Sequence, residues 1–203
     1  MHEYELAKFI ERSYGDGPNE LMEVISGLPF ALDMKTGPWI AGGAIRRALL
    51  GQGCGGSDID LFFANSEQLA KSASQIEGIG GKVARKTEHA TDYALTIEEI
   101  EYRIQFIGIA FYESPAAILD SFDFTICQFV TDGNRLGVGE YALWDLARKR
   151  LVLHKLTYAV ASMRRFLKYT KQGFTACTGM MASFLEAVVR DPAVVKADIK
   201  YID

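Results

Sequence analysis

The sequence predicts an α+β fold: a mixed sheet with interspersed helices, preceded by helices and followed by helices alone. Three observations carry this. Residues 82–87, 91–97 and 102–109 alternate apolar and polar side chains in immediate succession, as antiparallel strands do. The short apolar segments 38–41 and 58–63 bracket a stretch of helical period, so strands and helices interleave. After about residue 155 only helical patterns remain, which sets a small helical lobe apart from the sheet.

In chain order, residues 3–14 read as a helix with Leu6, Phe9 and Ile10 on one face. Asp16-Gly17-Pro18 breaks it, and Pro18 suits the first turn of a second helix running to about Ser26. A strand at 38–41 leads through Gly42-Gly43 into a helix over 44–50 that stops at Gly51, and 58–63 is the next strand. A helix over 66–76 ends before Gly78. The three alternating strands follow, then a short helix capped by Ser114-Pro115. Residues 123–131 read as a strand ending in an Asp132-Gly133 turn. Residues 141–148 read as helix and 151–154 as extended chain. Helices over 158–171 and 178–189 are separated by Gly173.

With 203 residues, 49% of them hydrophobic, the chain can bury one full core with a small second lobe. Cys54, Cys127 and Cys177 are odd in number and widely spaced, which fits neither a disulfide framework nor a zinc site. Reduced thiols point to a cytoplasmic setting. The acidic start has no signal-peptide pattern, and no apolar run approaches the roughly 20 residues of a membrane span, so no membrane partner is expected. The net charge of −4 hides an asymmetry. Residues 1–33 hold seven acids and two bases, whereas residues 146–175 hold eight bases and no acid. The segment 148–171 therefore suits a phosphate backbone or nucleotide phosphates, although a solvated helix face has the same composition.

The chemistry-bearing stretch is Gly42-Gly43-Ala44-Ile45-Arg46-Arg47 followed by Ser57-Asp58-Ile59-Asp60-Leu61-Phe62-Phe63. Alternate residues of a strand share a face, so Asp58 and Asp60 stand side by side while Ile59 and Leu61 point into the core. Neighbouring carboxylates repel, and a bound cation relieves that. Magnesium, which takes hard oxygen ligands and shares its shell with substrate phosphates, fits the pair. Gly42 and Gly43 let backbone amides approach a phosphate closely at a helix start. An ordinary strand-to-helix turn has the same need for glycine. The combination of diglycine and Asp-x-Asp is what points to phosphoryl transfer with a nucleoside triphosphate.

These residues, Gly42 to Gly51 and then Ser57 to Leu61, resemble the opening motif of bacterial poly(A) polymerases and class II tRNA nucleotidyltransferases (CCA-adding enzymes), members of the DNA polymerase β superfamily. Asp123-Phe124-Thr125-Ile126 is similar to a second family segment, Arg-Arg-Asp-Phe-Thr-Ile-Asn. Asp132 to Leu136 with Trp144-Asp145-Leu146 and Leu151 is similar to the end of the family's head domain. Arg164 to Phe174 resembles the helix that opens its neck. The resemblance implies a head domain with N-terminal helices over 1–155 and a neck-like helical segment over 156–203. It further implies two magnesium ions on Asp58 and Asp60, and a triphosphate held by Gly42, Gly43, Ser57 and Arg46. Asp123 would contact ribose or metal, and Arg164 would bind nucleotide. The superfamily often has a third carboxylate on a neighbouring strand. Glu101 is the candidate, sharing a strand face with Arg103 and Gln105.

Departures accompany the likeness. Ser121 and Phe122 stand where the family has paired arginines, and Cys127 where it has asparagine. The neck's Glu-Asp-x-x-Arg motif is absent around residues 157–161, and the chain ends where the family's tRNA-cradling body begins. CCA addition itself is therefore not expected. The leading expectation is a magnesium-dependent nucleotidyltransferase moving a nucleoside monophosphate from a triphosphate to an acceptor hydroxyl, with an RNA or tRNA 3′ end as first guess and a protein side chain or small molecule as the other acceptors left open. A catalytically inactive nucleotide-, RNA- or protein-binding module is the alternative. A third possibility is a subunit whose protein partner completes the acceptor site.

Overall fold

The computed structural model describes residues 1–10, 17–54, 57–190 and 192–193. Its centre is an eight-stranded sheet built from β1 (His2–Glu5), β2 (Trp39–Ala41), β3 (Ile59–Phe62), β4 (Lys82–Lys86), β5 (Ala90–Ile97), β6 (Ile100–Ile107), β7 (Phe129–Thr131) and β8 (Arg135–Val138). The strand order is β1-β8-β7-β2-β3-β6-β5-β4, antiparallel throughout except for the parallel β3–β6 pair. Two further strands, β9 (Arg150–Leu151) and β10 (Thr175–Ala176), form a separate parallel pair. The helices are α1 (Leu6–Ile10), α2 (Gly17–Gly27), α3 (Gly43–Leu49), α4 (Ser66–Gly78), α5 (Pro115–Ser121), α6 (Ala142–Ala147), α7 (Ala159–Lys171) and α8 (Thr178–Arg190). The α+β class expected from the sequence is the one observed.

Alternation along the strands sorts side chains to two faces. Ile40, Ile59, Leu61, Ile104 and Phe106 pack in the main core, which also takes Leu21 and Val24 of α2 and Ile45 of α3. On the opposite face a smaller cluster of Trp39, Phe62, Ile107, Ile118 and Leu119 seats α5 at one end of the sheet. α7 joins the main core through Tyr169, and Phe174 and Met180 follow it there. These placements leave Asp58, Asp60 and Arg103 on the side opposite the main core.

Several local expectations hold. Ser114 caps α5 by accepting from the Ala117 N–H at 3.3 Å, and the structure adds a cap for α4, where Asn65 accepts from the Gln68 N–H at 2.8 Å. Gly51, at φ +69°, closes α3, and the Gln52 N–H reaches back to the Arg47 carbonyl at 2.9 Å.

Four segments differ, one of them in the C-terminal stretch expected to be helical throughout, where Thr175–Ala176 is a strand paired with β9. The expected helix over 3–14 begins only at Leu6: His2–Glu5 pairs antiparallel with β8, an edge position that a one-strand pattern cannot reveal, and residues 11–14 lie outside the described residues. The expected strand over 123–131 is strand only at Phe129–Thr131. Its first half is a 3₁₀ turn at Thr125–Cys127, where Thr125 Oγ1 donates to buried Asp145 at 2.7 Å and diverts the chain from the sheet. The expected extended stretch 151–154 is a strand at Arg150–Leu151 and a single bridge from Leu153 to Phe124.

Candidate active site

The site forms where β2 turns into α3 and β3 begins. Gly42 has φ +84° and ψ −129°, a conformation essentially restricted to glycine. Its N–H is tied to the Phe129 carbonyl at 2.8 Å. A Cβ on Gly42 would stand 3.2 Å from the Phe122 ring and 3.8 Å from Asp60 Oδ2. A Cβ on Gly43 would stand 3.9 Å from both Arg46 Nη2 and Ser57 Oγ. Gly43 thus keeps open a small concavity beside Ser57 and Arg46, whereas Gly42 makes the turn into α3 with its Cα packed toward Phe122 and is not itself among the cavity-lining residues. The loop before Ser57 is held by α2 and α3: Glu20 accepts from the Cys54 N–H at 2.5 Å, and Arg47 Nε donates to the Gly53 carbonyl at 3.0 Å. Burial, reinforced by Glu20, pushes the Cys54 thiol up to about 11.

A cavity of about 950 Å³ opens from this concavity across the exposed sheet face toward α7. Asp58, Asp60, Ser57, Gly43, Arg46, Glu101 and Asp123 all line it, so seven of the nine residues expected from the sequence meet in one place. Six basic and four acidic side chains line it in a chain whose net charge is −4, so positive charge is concentrated where a polyanion would sit.

The strand register decides what flanks the acid pair. Ile59 and Asp60 pair with Ile104 and Gln105, so Arg103 is level with Asp58 and Gln105 with Asp60. Arg103 Nη1 donates to Asp58 Oδ1 at 3.0 Å. Gln105 is buried and donates to Asp92 at 2.7 Å, and Asp92 also accepts from Arg85 at 2.9 Å. Glu101 lies three residues before Ile104, the first β6 partner of β3, and pairs with Thr96. At the level of the two aspartates the neighbouring strand therefore presents a guanidinium and an amide. Among the described residues no group of three or more His, Cys, Asp and Glu side chains is arranged to hold a metal.

Arg46 is buried, 3% exposed, with its guanidinium 4.6 Å above the Tyr169 ring and Nη1 donating to Cys127 Sγ at 3.6 Å. Burial opposes its charge, but the adjacent Cys127 and Tyr169 groups outweigh that and raise its pKa. Cys127 and the Tyr169 hydroxyl hydrogen-bond at 3.1 Å, and burial raises the pKa of both. This buried cluster couples α3 to α7 and leaves Nη2 of Arg46 facing the diglycine.

The helix phase of α7 separates two adjacent arginines. Arg165 turns into the cavity and donates to Asp123 at 2.9 Å. Arg164, the expected nucleotide ligand, is exposed and is not among the lining residues, because one residue is a 100° rotation on a helix. Ser162, Arg165, Tyr169 and Gln172 form the inward stripe, with Lys168 beside it. That spacing was visible in the sequence, but the face that points inward was not. At the departures, Ser121 Oγ donates to the Ile118 carbonyl, and Phe122 packs edge-on against Phe62, so an apolar ring walls the cavity there.

A nucleotidyltransferase-like fold emerges from comparison with solved structures. A CCA-adding enzyme in complex with ATP superposes with a TM-score of 0.67 at 16% identity, over 95% of this chain and 48% of that one. A CCA-adding enzyme with CTP gives 0.62 at 18% identity, over 94% and 46%. The Thermotoga maritima CCA-adding enzyme complexed with tRNA gives 0.60 at 16%, over 94% and 46%. The chain spans just under half the length of these enzymes. At such identities the likeness is one of fold. No curated protein matches the chain. By sequence it belongs to the Gabija anti-defense 2 family, whose model matches residues 4–149.

Proposed function

We propose that the protein is a magnesium-dependent nucleotidyltransferase that moves a nucleoside monophosphate from a triphosphate to an acceptor hydroxyl. The observation that carries this is the convergence of Asp58, Asp60, Gly43, Ser57 and Arg46 at one end of a positively lined cavity of about 950 Å³. The donor set fits magnesium. Two carboxylates on one strand face offer hard oxygens, and a third protein carboxylate is unnecessary when substrate phosphates complete the shell. Asp58 and Asp60 would hold the ions, which when bound supply charge neutralisation and acidify the acceptor hydroxyl. The chain's own part is positioning. Gly43 leaves room for phosphate oxygens at the turn that Gly42 makes, Ser57 Oγ and Arg46 Nη2 face that room, and Arg165 and Lys168 add positive charge from α7. Phosphoryl transfer relies chiefly on such positioning and electrostatics.

The acceptor proposed first is an RNA 3′ end, tRNA included, with basic residues of segment 148–171 as its contact. The basic lining and the tRNA- and nucleotide-bound relatives of the same fold favour it. The family is described by an anti-defence role against Gabija, and nucleotidyl transfer would serve that role by marking an RNA or a protein partner. Incubation with each α-labelled triphosphate, magnesium and total RNA is the test. Label should enter RNA with wild type and not with Asp58→Ala, which leaves only an exposed Arg103 without its partner and so still folds. Full transfer by Asp58→Ala refutes the proposal.

One observation favours a second reading, a binding module without chemistry: Arg103 already neutralises Asp58. Magnesium-dependent nucleotide binding with no label transfer to RNA or protein would select it.

A further inference from the structure

We infer that Arg103 is a switchable counter-charge, holding Asp58 while the acid pair lacks a metal and passing to the nucleotide's phosphates when a divalent cation arrives. The inference rests on the reading of Asp58 and Asp60 as the metal-holding pair and adds a residue that determines how metal and nucleotide bind together.

Two carboxylates two residues apart on one strand face need positive charge nearby. The parallel register supplies it, because β6 places Arg103 level with Asp58. The resulting contact, Nη1 to Oδ1 at 3.0 Å, occupies an oxygen that a metal ion would use. It is also poorly committed. The Arg103 side chain is 57% exposed and that of Asp58 25%, so the pair has water at hand and is cheap to separate. The other bases with described partners are engaged elsewhere. Arg46 lies over Tyr169, Lys155 donates to Asp120 at 3.0 Å, and Arg165 donates to Asp123. One register step along, the polar row cannot swing, because Gln105 and Asp92 are buried and bonded to each other. Among these contacts Arg103 is the base whose partner belongs to the acid pair.

A guanidinium and a divalent cation compete for the same carboxylate, so metal alone must displace Arg103 without giving it a new partner. A triphosphate bound with the metal offers that partner, since its oxygens match the guanidinium's paired N–H groups. Metal and nucleotide then assist each other, and by linkage the assistance is reciprocal.

The test measures binding, not turnover. Manganese binding to the full chain is followed by electron paramagnetic resonance, with and without an α,β-methylene triphosphate. Wild type, Arg103→Gln, Arg103→Lys and Asp58→Ala are compared after circular dichroism confirms folding. Wild type should bind manganese weakly alone and about 5–150-fold more tightly with the analogue, the usual range for coupled sites. Arg103→Gln should bind manganese alone more tightly than wild type and the metal–analogue pair less tightly, collapsing the coupling toward unity. Arg103→Lys should retain part of it. Unchanged manganese affinity and coupling in Arg103→Gln overturn the switch while leaving the acid-pair reading intact, provided Asp58→Ala loses manganese. If Asp58→Ala binds manganese as wild type does, or wild type binds neither metal nor analogue, the acid-pair reading falls and the switch with it.

Discussion

Alanine at Gly42 and at Gly43 should have opposite consequences, although the residues are adjacent. At Gly42 the backbone sits at φ +84°, ψ −129°, where a residue other than glycine costs of order 1–3 kcal/mol. The added Cβ would also meet the Phe122 ring at 3.2 Å, and that ring is held edge-on against Phe62. Together these predict a loss of about 2–4 kcal/mol, or roughly 5–15 °C in Tm for a chain of this size. At Gly43 the φ is not left-handed, the nearest atoms are Arg46 Nη2 and Ser57 Oγ at 3.9 Å, and alanine suits the first turn of α3. Gly43→Ala should therefore be as stable as wild type or about 0.5–1 kcal/mol more so. Its methyl group nonetheless occupies the space between Ser57 and Arg46, so magnesium–triphosphate binding should weaken at least ~10-fold, about 1.4 kcal/mol. Urea unfolding gives the stabilities, and calorimetric titration with a non-hydrolysable triphosphate gives the affinities. Wild-type affinity in Gly43→Ala would refute the diglycine as a phosphate cradle. Wild-type stability in Gly42→Ala would refute the strain argument.

Two further outcomes follow from buried polar groups. With Ellman's reagent at pH 8, exposed Cys177 should react first, because N–H donors of the α8 start, led by that of Met180, lower its pKa and raise its thiolate fraction. Cys54, pushed up to about 11, and buried Cys127 should react only as the chain unfolds, and fast labelling of either would contradict the burial described. The tyrosines give a matched pair. Tyr169→Phe removes a hydroxyl bonded to Cys127 and should cost about 1 kcal/mol, whereas Tyr102→Phe removes a buried hydroxyl with no hydrogen-bond partner among the described residues and should be neutral or stabilising. Equal losses in urea unfolding would contradict the assignment.

What the sequence determined by itself was local. Alternation alone placed Asp58 and Asp60 on one face with Ile59 and Leu61 in the core, since a strand's period needs no partner to define it. The Ser114 and Gly51 helix boundaries and the Asp132-Gly133 turn were equally legible, because capping and turn chemistry act within a few residues. The tight Glu98-Glu99 turn between β5 and β6 carried no such signal, its positive φ angles falling on residues that rarely adopt them. Tertiary structure alone decided the rest. Pairing across the sheet set Arg103, rather than Glu101, beside Asp58, and made β1 a strand. Packing of Tyr169 over Arg46 fixed the rotation of α7, which turned Arg165 inward and Arg164 out. Register and helix phase are settled by contacts between residues far apart in the chain, here 45 for Arg103 with Asp58 and 42 for Arg165 with Asp123, and no local pattern encodes them.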